Sequence, residues 1–520
     1  MIVVSLAQLL LVFNVTTLKV SVDPIADELG AGSDSVKTAI VLYSLAVAGL
    51  VMLGARVGQR LGARRAFRAA VVILGAAMAL MAVSRSPVHV LASQILAGAA
   101  SAALIPTLVV MIAEHYRGPQ QTEALGWLGA TQAIGIVPAF LIAGYLATAI
   151  EWRLTYGLLV LFAAGVYVSS GKLRGAENRP GIDIDAVGVV LAAGGVLLIG
   201  VGIDKLWDWG PWRARPAAPL GLLGLSPAPF VLGAGIALLY AFALWSERCR
   251  ASGRMPLIAP ELVRGARERS ALVSIFAIGA ISAGLTFLMP LYIEVVQGRT
   301  SLYTALALAP LTFASFSAAV FVMRLTARLS SRRIAQYALL LVAAGVALLG
   351  VTVRNDWSDA LVVLGLILTG LGEGGLATLL FKLLSRTVPR HLASDVGCAC
   401  CSTSSLGAGV GTALAATLLI GFLSLNVQSH LTARPSIADL KAQIDLDRVS
   451  FVSNDRLREA LARTGATPEQ VDEAVYVNTE ARLAALKISF LFFACMALLA
   501  LIPARAVSDV HVRDIGTSGP

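Results

Sequence analysis

The sequence predicts an all-α membrane protein with 14 transmembrane helices, arranged as two six-helix bundles plus two extra central spans. The chain of 520 residues is 57% hydrophobic and only 14% charged, whereas soluble domains carry about 25% charged residues. Fourteen apolar runs are each long enough to cross a bilayer. A basic segment of the first half returns in the second half at a fixed offset, as in transporters built from duplicated halves.

The apolar runs alternate with short polar connections along the chain. The first run begins at Ile2 without a basic segment before it, so we interpret it as a first span and not as a removable signal. The predicted spans cover residues 2–22, 38–57, 69–85, 88–113, 124–149, 153–171, 183–203, 226–246, 270–292, 303–326, 334–353, 358–382, 395–423 and 485–504. We predict an N-terminal bundle over 1–175, two additional helices and linkers over 176–250, and a C-terminal bundle over 251–520.

The repeated basic segment lies between the second and third runs, over residues 54–68. Two spans joined by so few residues must be antiparallel, so this turn lies at one face of the membrane. Its arginines return 268 positions later, where Arg324, Arg328, Arg332 and Arg333 correspond to Arg56, Arg60, Arg64 and Arg65.

The distribution of Lys and Arg residues among the loops predicts how the protein is oriented in the membrane. With the 54–68 turn inside, the predicted cytoplasmic loops and tail carry 24 Lys and Arg residues and the short outer loops carry 8, which favours both termini in the cytoplasm and a location in the cytoplasmic (inner) membrane. The net charge of +10 is explained by these loops, so we expect no nucleic-acid partner.

The predicted outer segment 424–484 contains helix signals. Thr467 and Gln470 form a capping box, with Pro468 at the first helical position. We predict a helical hairpin standing over the outer mouth, with a passive lid favoured over substrate recognition or a docking site for a partner.

The basic turn resembles the loop between spans two and three of the major facilitator superfamily. Further landmarks in chain order resemble the 14-span drug–proton antiporters (multidrug efflux type) of that superfamily. They are Asn14-Val15-Thr16 in the first span, Gly98 with Pro106, Trp152-Arg153 before Tyr156, and Tyr292 to Gly298 followed by Pro310.

The resemblance implies the major facilitator fold and a secondary active transporter that exports hydrophobic or amphipathic small molecules by proton antiport with alternating access. It implies no enzymatic activity and no cofactor. The expected partners are a small-molecule substrate, protons and the lipid bilayer, and we expect a monomer. Participation of a periplasmic adaptor and an outer-membrane channel is left as an open alternative. The switch loop would comprise Gly54, Gly58, Gln59, Arg60, Gly62, Arg64 and Arg65. Predicted helix-packing positions are Gly98, Pro106, Gly135, Pro138 and Gly144.

Departures from the family pattern leave two alternatives open. The family's acidic positions fall here on Gln59 and Asn14, and two fourth-span positions fall on Gln94 and Ala97. A facilitator or importer of a small organic solute without proton coupling is one alternative, and a non-transporting receptor or assembly factor is another. No nucleophile motif or phosphate-binding loop occurs in the sequence.

Glu373 is the acid predicted deepest inside a span. It lies in Gly370-Leu371-Gly372-Glu373-Gly374-Gly375 and corresponds to Ser101 at an offset of 272. An ionisable residue at this depth is a candidate for proton or substrate coupling. The alternative is a structural acid bonded to a neighbouring helix or to Lys382.

Lys19 is the other charge predicted inside a span. Asp23 lies one turn further on the same face, and we favour an interaction with it over substrate binding and over a pair with Glu294. The candidates for the substrate path are Asn14, Thr16, Lys19, Tyr43, Gln94, Thr131 and Gln132. We interpret Cys398, Cys400 and Cys401 as small packing residues and predict no metal site.

Overall fold

The computed structural model describes residues 1–30, 33–116, 119–172, 184–210, 212–215, 218, 224–253, 257, 265–293, 297–326, 328–354, 359–387, 393–433, 457–459 and 467–506. The first part of the chain contains α1 (Ile2–Val20), α2 (Val22–Glu28), α3 (Ser33–Leu61), α4 (Ala63–Ala82), α5 (Pro87–His115), α6 (Pro119–Ala149) and α7 (Trp152–Ser169). The middle contains α8 (Ala186–Asp204), α9 (Leu206–Trp209) and α10 (Ala228–Ala251). The last part contains α11 (Ala266–Leu291), α12 (Ser301–Leu325), α13 (Ser331–Thr352), α14 (Ala360–Thr387), α15 (Ala393–Ala433), α16 (Pro468–Leu499) and α17 (Leu501–Ala504).

The predicted all-helical fold is confirmed. Fourteen helices of 18 residues or more lie in the described ranges, and each overlaps one predicted span. Twelve helices are long and apolar enough to cross a membrane. The other two long helices, α6 and α12, contain the shorter apolar segments Ile134–Leu146 and Leu306–Val322, so fourteen is an approximate number of spans.

The long helices pack as two corresponding bundles. In the first bundle α1 packs on α6, α3 on α5, and α4 on both α5 and α7. In the second bundle α11 packs on α15, α12 on α14, and α13 on both α14 and α16. Each of these four pairs in the first bundle therefore has its counterpart in the second, as expected for a duplicated chain.

The two most extensive contacts between the bundles are also counterparts: α3 packs on α15, and α12 packs on α6. The extra helix α8 covers the α3–α15 contact and packs on both helices as well as on α10. Hydroxyl groups link these helices, because Ser402 Oγ donates to the Ala48 carbonyl oxygen at 2.7 Å and Thr417 Oγ1 donates to the Ile203 carbonyl oxygen at 3.2 Å.

Two glycines show the repeat at the level of single contacts. A Cβ atom at Gly98 would lie 2.7 Å from the carbonyl oxygen of Tyr43, so α5 and α3 are in backbone contact there. Gly370 is packed in the same way against the carbonyl oxygen of Leu311, between α14 and α12. The offsets of these pairs along the chain, 268 and 272, are those of the sequence repeat.

The structure differs from the sequence analysis at the connection between the second and third spans. The basic turn is a single residue, Gly62, because α3 runs to Leu61 and α4 starts at Ala63. Gly62 has φ of 85°, a conformation that side chains with a Cβ rarely adopt. The spans predicted to end at 57 and begin at 69 thus extend as helices into the arginine-rich segment.

The structure describes only parts of the segment 424–484, so the predicted hairpin there stays a prediction. The described residues 457–459 are helical, and Leu457 packs with Val475 of α16 while Arg458 forms an ion pair with Asp472.

The capping box of Thr467 and Gln470 is present, and the helix that it starts continues to Leu499. Within α16 no glycine and no proline follows Pro468, so nothing in the sequence ends the helix before the last span. At its other end the segment continues α15 as far as Ala433, and residues 434–456 and 460–466 lie outside the described ranges.

Candidate functional site

Glu373 lies in the middle of α14, where glycines bring neighbouring helices close. A Cβ atom at Gly374 would meet the backbone of Ser315 on α12, and one at Gly372 would meet the backbone of Ala338 on α13. The Glu373 side chain therefore leaves α14 from a tightly packed backbone. Its Oε1 atom is buried and has no hydrogen-bond partner in the part of the chain that the structure describes.

Two hydroxyl residues of α11 connect Glu373 with Lys19. The Ser282 side chain is within hydrogen-bonding reach of the Glu373 carboxyl group. Lys19 Nζ, from α1, donates to Thr286 Oγ1 at 3.0 Å. Ser282 and Thr286 are four residues apart and so lie on one face of α11, separated by about 6 Å along its axis.

The Lys19 ammonium and the Glu373 carboxyl group interact electrostatically. They belong to opposite bundles, so this interaction crosses the interface at which the two halves of the molecule meet. The sequence analysis had favoured Asp23 as the partner of Lys19. The side chains of Asp23 and Glu294 are outside the described residues, and an interaction of Lys19 with either one stays a prediction.

Three of the predicted path residues are buried within the first bundle. Tyr43 donates its hydroxyl hydrogen to Ser101 Oγ at 3.0 Å, and Ser101 donates to the Ala97 carbonyl oxygen at 2.7 Å. Asn14 and Gln94 are fully buried. The Asn14 side chain is within hydrogen-bonding reach of the Tyr43 hydroxyl, whereas neither polar atom of the Gln94 amide has a partner among the described residues. A buried amide without a partner is unusual, because burying an unpaired polar group costs about 1–3 kcal/mol.

A fourth path candidate, Thr16 of α1, is also buried within the first bundle. Thr131 and Gln132 lie on α6. Thr131 donates to the carbonyl oxygen of Trp127 on its own helix at 2.8 Å and contacts Ser5 of α1 at 3.4 Å. Gln132 is exposed. The structure therefore groups Lys19 with Glu373, and Tyr43 with Ser101, but does not bring all seven candidates together.

Two arginines of the basic segment, Arg56 and Arg64, donate hydrogen bonds to oxygen atoms. Arg64 Nη2 donates to the carbonyl oxygen of Gly171, just beyond the C-terminus of α7, at 2.8 Å. Arg56 Nη1 donates to Gln59 Oε1 at 3.2 Å, so Gln59 accepts a hydrogen bond where the family has an acid. Arg60 and Arg65 are exposed. The Arg64 contact places a positive charge close to the C-terminus of α7, where the helix dipole makes it favourable.

The glycines of that loop differ in how closely they are packed. A Cβ atom at Gly54 would meet the backbone of Ala102 on α5, whereas one at Gly58 would lie 3.4 Å from Thr107 Oγ1, an ordinary contact. At the predicted packing positions, a Cβ atom at Gly135 would lie 2.6 Å from Leu9 Cδ2 of α1. Pro106 and Pro138 lie inside α5 and α6, and Gly144 is buried.

The sequence analysis identified Trp152 and Arg153 as landmarks but not their partner. Trp152 Nε1 donates to Glu28 Oε2 at 2.7 Å, and Arg153 donates to Glu28 Oε1 and to the Ser84 carbonyl oxygen. This cluster ties α2, α4 and α7 together. The Arg153 guanidinium, followed by the Trp152 indole, lowers the pKa of the Glu28 carboxyl group, which lies outside the spans.

The sequence analysis also missed Ser282 and Thr286, because it looked for uncharged polar residues of the substrate path only in the first half of the chain. A signal was present, because the two hydroxyls are spaced by four inside an apolar run and therefore share one helix face.

The fold agrees with the comparison with known proteins. Residues 4–412 match the family described as Major Facilitator Superfamily. The chain belongs to this superfamily. It is 26% identical over 467 residues to a probable actinorhodin transporter of Streptomyces coelicolor, which covers 87% of this chain and 77% of that protein.

Two further relatives have names that describe resistance or export. Puromycin resistance protein pur8 of Streptomyces alboniger is 26% identical over 449 residues, with 84% of this chain and 85% of that protein covered. Cephamycin export protein CmcT of Amycolatopsis lactamdurans is 26% identical over 310 residues, with 58% of this chain and 60% of that protein covered.

Solved structures support the fold. A bacterial homologue of the human lysosomal transporter Spinster superposes with a TM-score of 0.65 at 13% identity, covering 100% of this chain and 98% of that one. A peptide transporter in complex with sulfate gives a TM-score of 0.59 at 15% identity, covering 97% and 95%. The protein is therefore a multi-pass membrane transporter of small molecules and not an enzyme.

Proposed function

We propose that this transporter exports hydrophobic or amphipathic small molecules in exchange for protons, and that Glu373 carries the proton. The observation on which the proposal depends is the Glu373 carboxyl group, with an unpartnered buried Oε1 atom in the middle of α14. The names of the relatives, which describe antibiotic export and resistance, support export as the direction.

The position of Glu373 suits a proton carrier for a physical reason. A carboxylate at membrane depth costs about 2.5–3.5 kcal/mol, so it persists where it has a function or a firm partner. The alternative is a structural acid bonded to a neighbouring helix or to Lys382. Lys382 Nζ donates to Thr326 Oγ1 at 3.2 Å, whereas Ser282 of the neighbouring helix α11 is within reach of Glu373. Ser282 offers a neutral hydroxyl, which can donate to the carboxylate or accept from the carboxylic acid.

Exchange then follows from alternating access. The two bundles rock about the interface that contains Glu373, which faces one side of the membrane at a time. Proton and substrate bind the same interface, so occupation by one opposes occupation by the other. No ATP is needed, because the proton gradient supplies the free energy.

The test uses purified protein in liposomes with an imposed pH gradient, in which substrate-dependent proton movement is followed with an internal pH dye. Glu373→Gln keeps the size and polarity of the side chain but cannot release a proton. We expect this variant to lose proton-coupled exchange while it still lets substrate equilibrate across the membrane. The matched control is Glu469→Gln, since Glu469 is exposed in the first turn of α16.

Two outcomes would reject parts of this proposal. Unchanged coupled exchange in the Glu373→Gln variant would remove the proton-carrier role. Substrate equilibration without any proton movement in the unaltered protein would instead favour the facilitator.

A further inference from the structure

Lys19 is a charged residue that proton carriage by Glu373 does not require. Its ammonium group extends from α1 to α11 across the interface between the bundles, where it donates to the neutral hydroxyl of Thr286 at 3.0 Å. An ammonium group has three N–H donors. Thr286 is its one hydrogen-bond partner in the described part of the chain, so two donors are available.

A lysine in this position is costly unless it interacts with an anion. Lys19 lies in the last turn of α1 with its side chain half-buried, and a neutral residue of similar length, such as methionine, would avoid the cost of burying a charge. Thr286 contributes a dipole but no negative charge. In the described residues, Glu373 is the acid that acts electrostatically on Lys19.

Glu373 has an unused acceptor, as Lys19 has unused donors. Its Oε1 atom is buried without a hydrogen-bond partner in the described residues. The two charged groups are held by Thr286 and Ser282 of the same α11 face. These two hydroxyl residues are offset by about one helical turn, or about 6 Å, along α11. A cation with unused donors and a carboxylate with an unused acceptor face the same interface from opposite bundles.

We propose that Lys19 and Glu373 together bind a dipolar substrate, one that carries an acidic group and a protonated amine on an apolar body. Lys19 binds the acidic group of the substrate, and Glu373 in its carboxylate form binds the amine. This inference rests on the proposed function, because it assumes that the interface between the bundles is the transport site and that Glu373 exchanges a proton.

The choice of a dipolar substrate follows from thermodynamic linkage. An anion bound at Lys19 repels the carboxylate of Glu373, so the anion and the proton would bind together and move in the same direction. A cation bound at Glu373 would displace the proton, but Lys19 repels it. A molecule with both charges displaces the proton through its amine and is attracted by Lys19 through its acid, and so exchanges with the proton.

The experiment uses the aromatic dipeptide phenylalanyl-tryptophan in four forms: the free zwitterion, its methyl ester, its N-acetyl derivative and the N-acetyl methyl ester. Each is added to proteoliposomes with an imposed pH gradient, and proton movement is compared with that in protein-free liposomes. We expect the free dipeptide to exchange protons at least about tenfold faster than either singly blocked form, since a hydrogen bond to a charged group is worth about 1.5–3 kcal/mol.

Substitutions at Lys19 separate its role from a merely structural one. In the Lys19→Met variant we expect the preference for the free dipeptide over its methyl ester to fall below about threefold, while Lys19→Arg keeps the preference. Lys487→Met is the matched control. It removes another half-buried lysine, from a turn of α16 that packs on Gly350 of α13.

Each outcome decides between the two proposals. A blocked form that exchanges protons as fast as the free dipeptide overturns the dipolar substrate, as does an unchanged preference in Lys19→Met. If lipophilic cations exchange protons and the dipeptide does not, proton-coupled export stands and the dipolar substrate is wrong. If no compound moves protons, the proposed function itself fails.

Discussion

Replacing Gly98 by alanine tests the backbone contact on which the first bundle depends. The added methyl group would lie 2.7 Å from both the Tyr43 carbonyl oxygen and the Ala46 Cβ atom. Ordinary contacts begin near 3.4 Å, so α3 and α5 must separate by about 0.7 Å. Overpacking of this kind costs about 1–3 kcal/mol, although alanine gains up to about 1 kcal/mol in helix propensity.

The matched control is Gly375→Ala on α14, where the nearest atoms to an added Cβ are 3.9 Å away. The control has the same gain in helix propensity without the collision. We therefore expect the thermal unfolding midpoint in detergent to fall by several degrees for Gly98→Ala and to stay level or rise for Gly375→Ala. Gly370→Ala should behave like Gly98→Ala, because Gly370 has the corresponding contact with α12. Equal midpoints for the Gly98 and Gly375 variants would refute the close approach of α3 and α5.

Two further predictions concern the ends of the first bundle. Glu28→Gln should lower the free energy of unfolding at pH 7 slightly, by less than about 1 kcal/mol, because the ion pair is exposed. Because Arg153 lowers the pKa of Glu28 in the folded state, the stabilisation is complete above the unfolded value of about 4.3 and is lost as the pH falls through the lower folded value. The difference between the two proteins should thus vanish in acid, and a difference that persists there would contradict the assignment. Arg64→Ala should destabilise the junction of α4 and α7 by about 1 kcal/mol, with Arg60→Ala, an exposed arginine, as the control in the same unfolding assay.

The repeat in the sequence was sufficient to predict much of the packing. An offset of 268 relates the arginines of the two loops, and it also relates Tyr43 to Leu311, which have corresponding contacts with Gly98 and Gly370. Duplicated sequence predicts duplicated contacts, because the same small residues allow the same helices to approach. Contacts within each bundle can therefore be predicted from the sequence.

Contacts between the bundles cannot be predicted from the sequence in the same way. For Lys19 the sequence offered Asp23, four residues away on the same helix face, as a partner, whereas the structure adds Thr286 and Glu373, which lie more than 260 positions away. Nothing in a local pattern predicts that α1 meets α11. The long helix α16 is a similar case, since the capping box predicted its start but the boundary between outer segment and span is not marked by any helix-breaking residue.

The attraction between Lys19 and Glu373 makes a prediction about the conformational equilibrium. The two residues belong to different bundles, so opening the end of the molecule remote from Gly62 separates their charges. Two opposite unit charges about 6 Å apart attract by about 3 kcal/mol at an effective dielectric constant of about 20, and an attraction of this size corresponds to a change of more than a hundredfold in the ratio of closed to open states.

Removing either charge should therefore shift the equilibrium towards the state that is open at this end. We expect Lys19→Met and Glu373→Gln to increase the long-distance fraction between spin labels at Arg85 and Arg299, measured in a background without the native cysteines. Both positions are exposed, one beyond α4 and the other before α12. The double variant should add little to either single one, because each substitution alone already abolishes the attraction. Distance distributions that do not change, or effects of the two substitutions that simply add, would mean that the pair does not hold the bundles together.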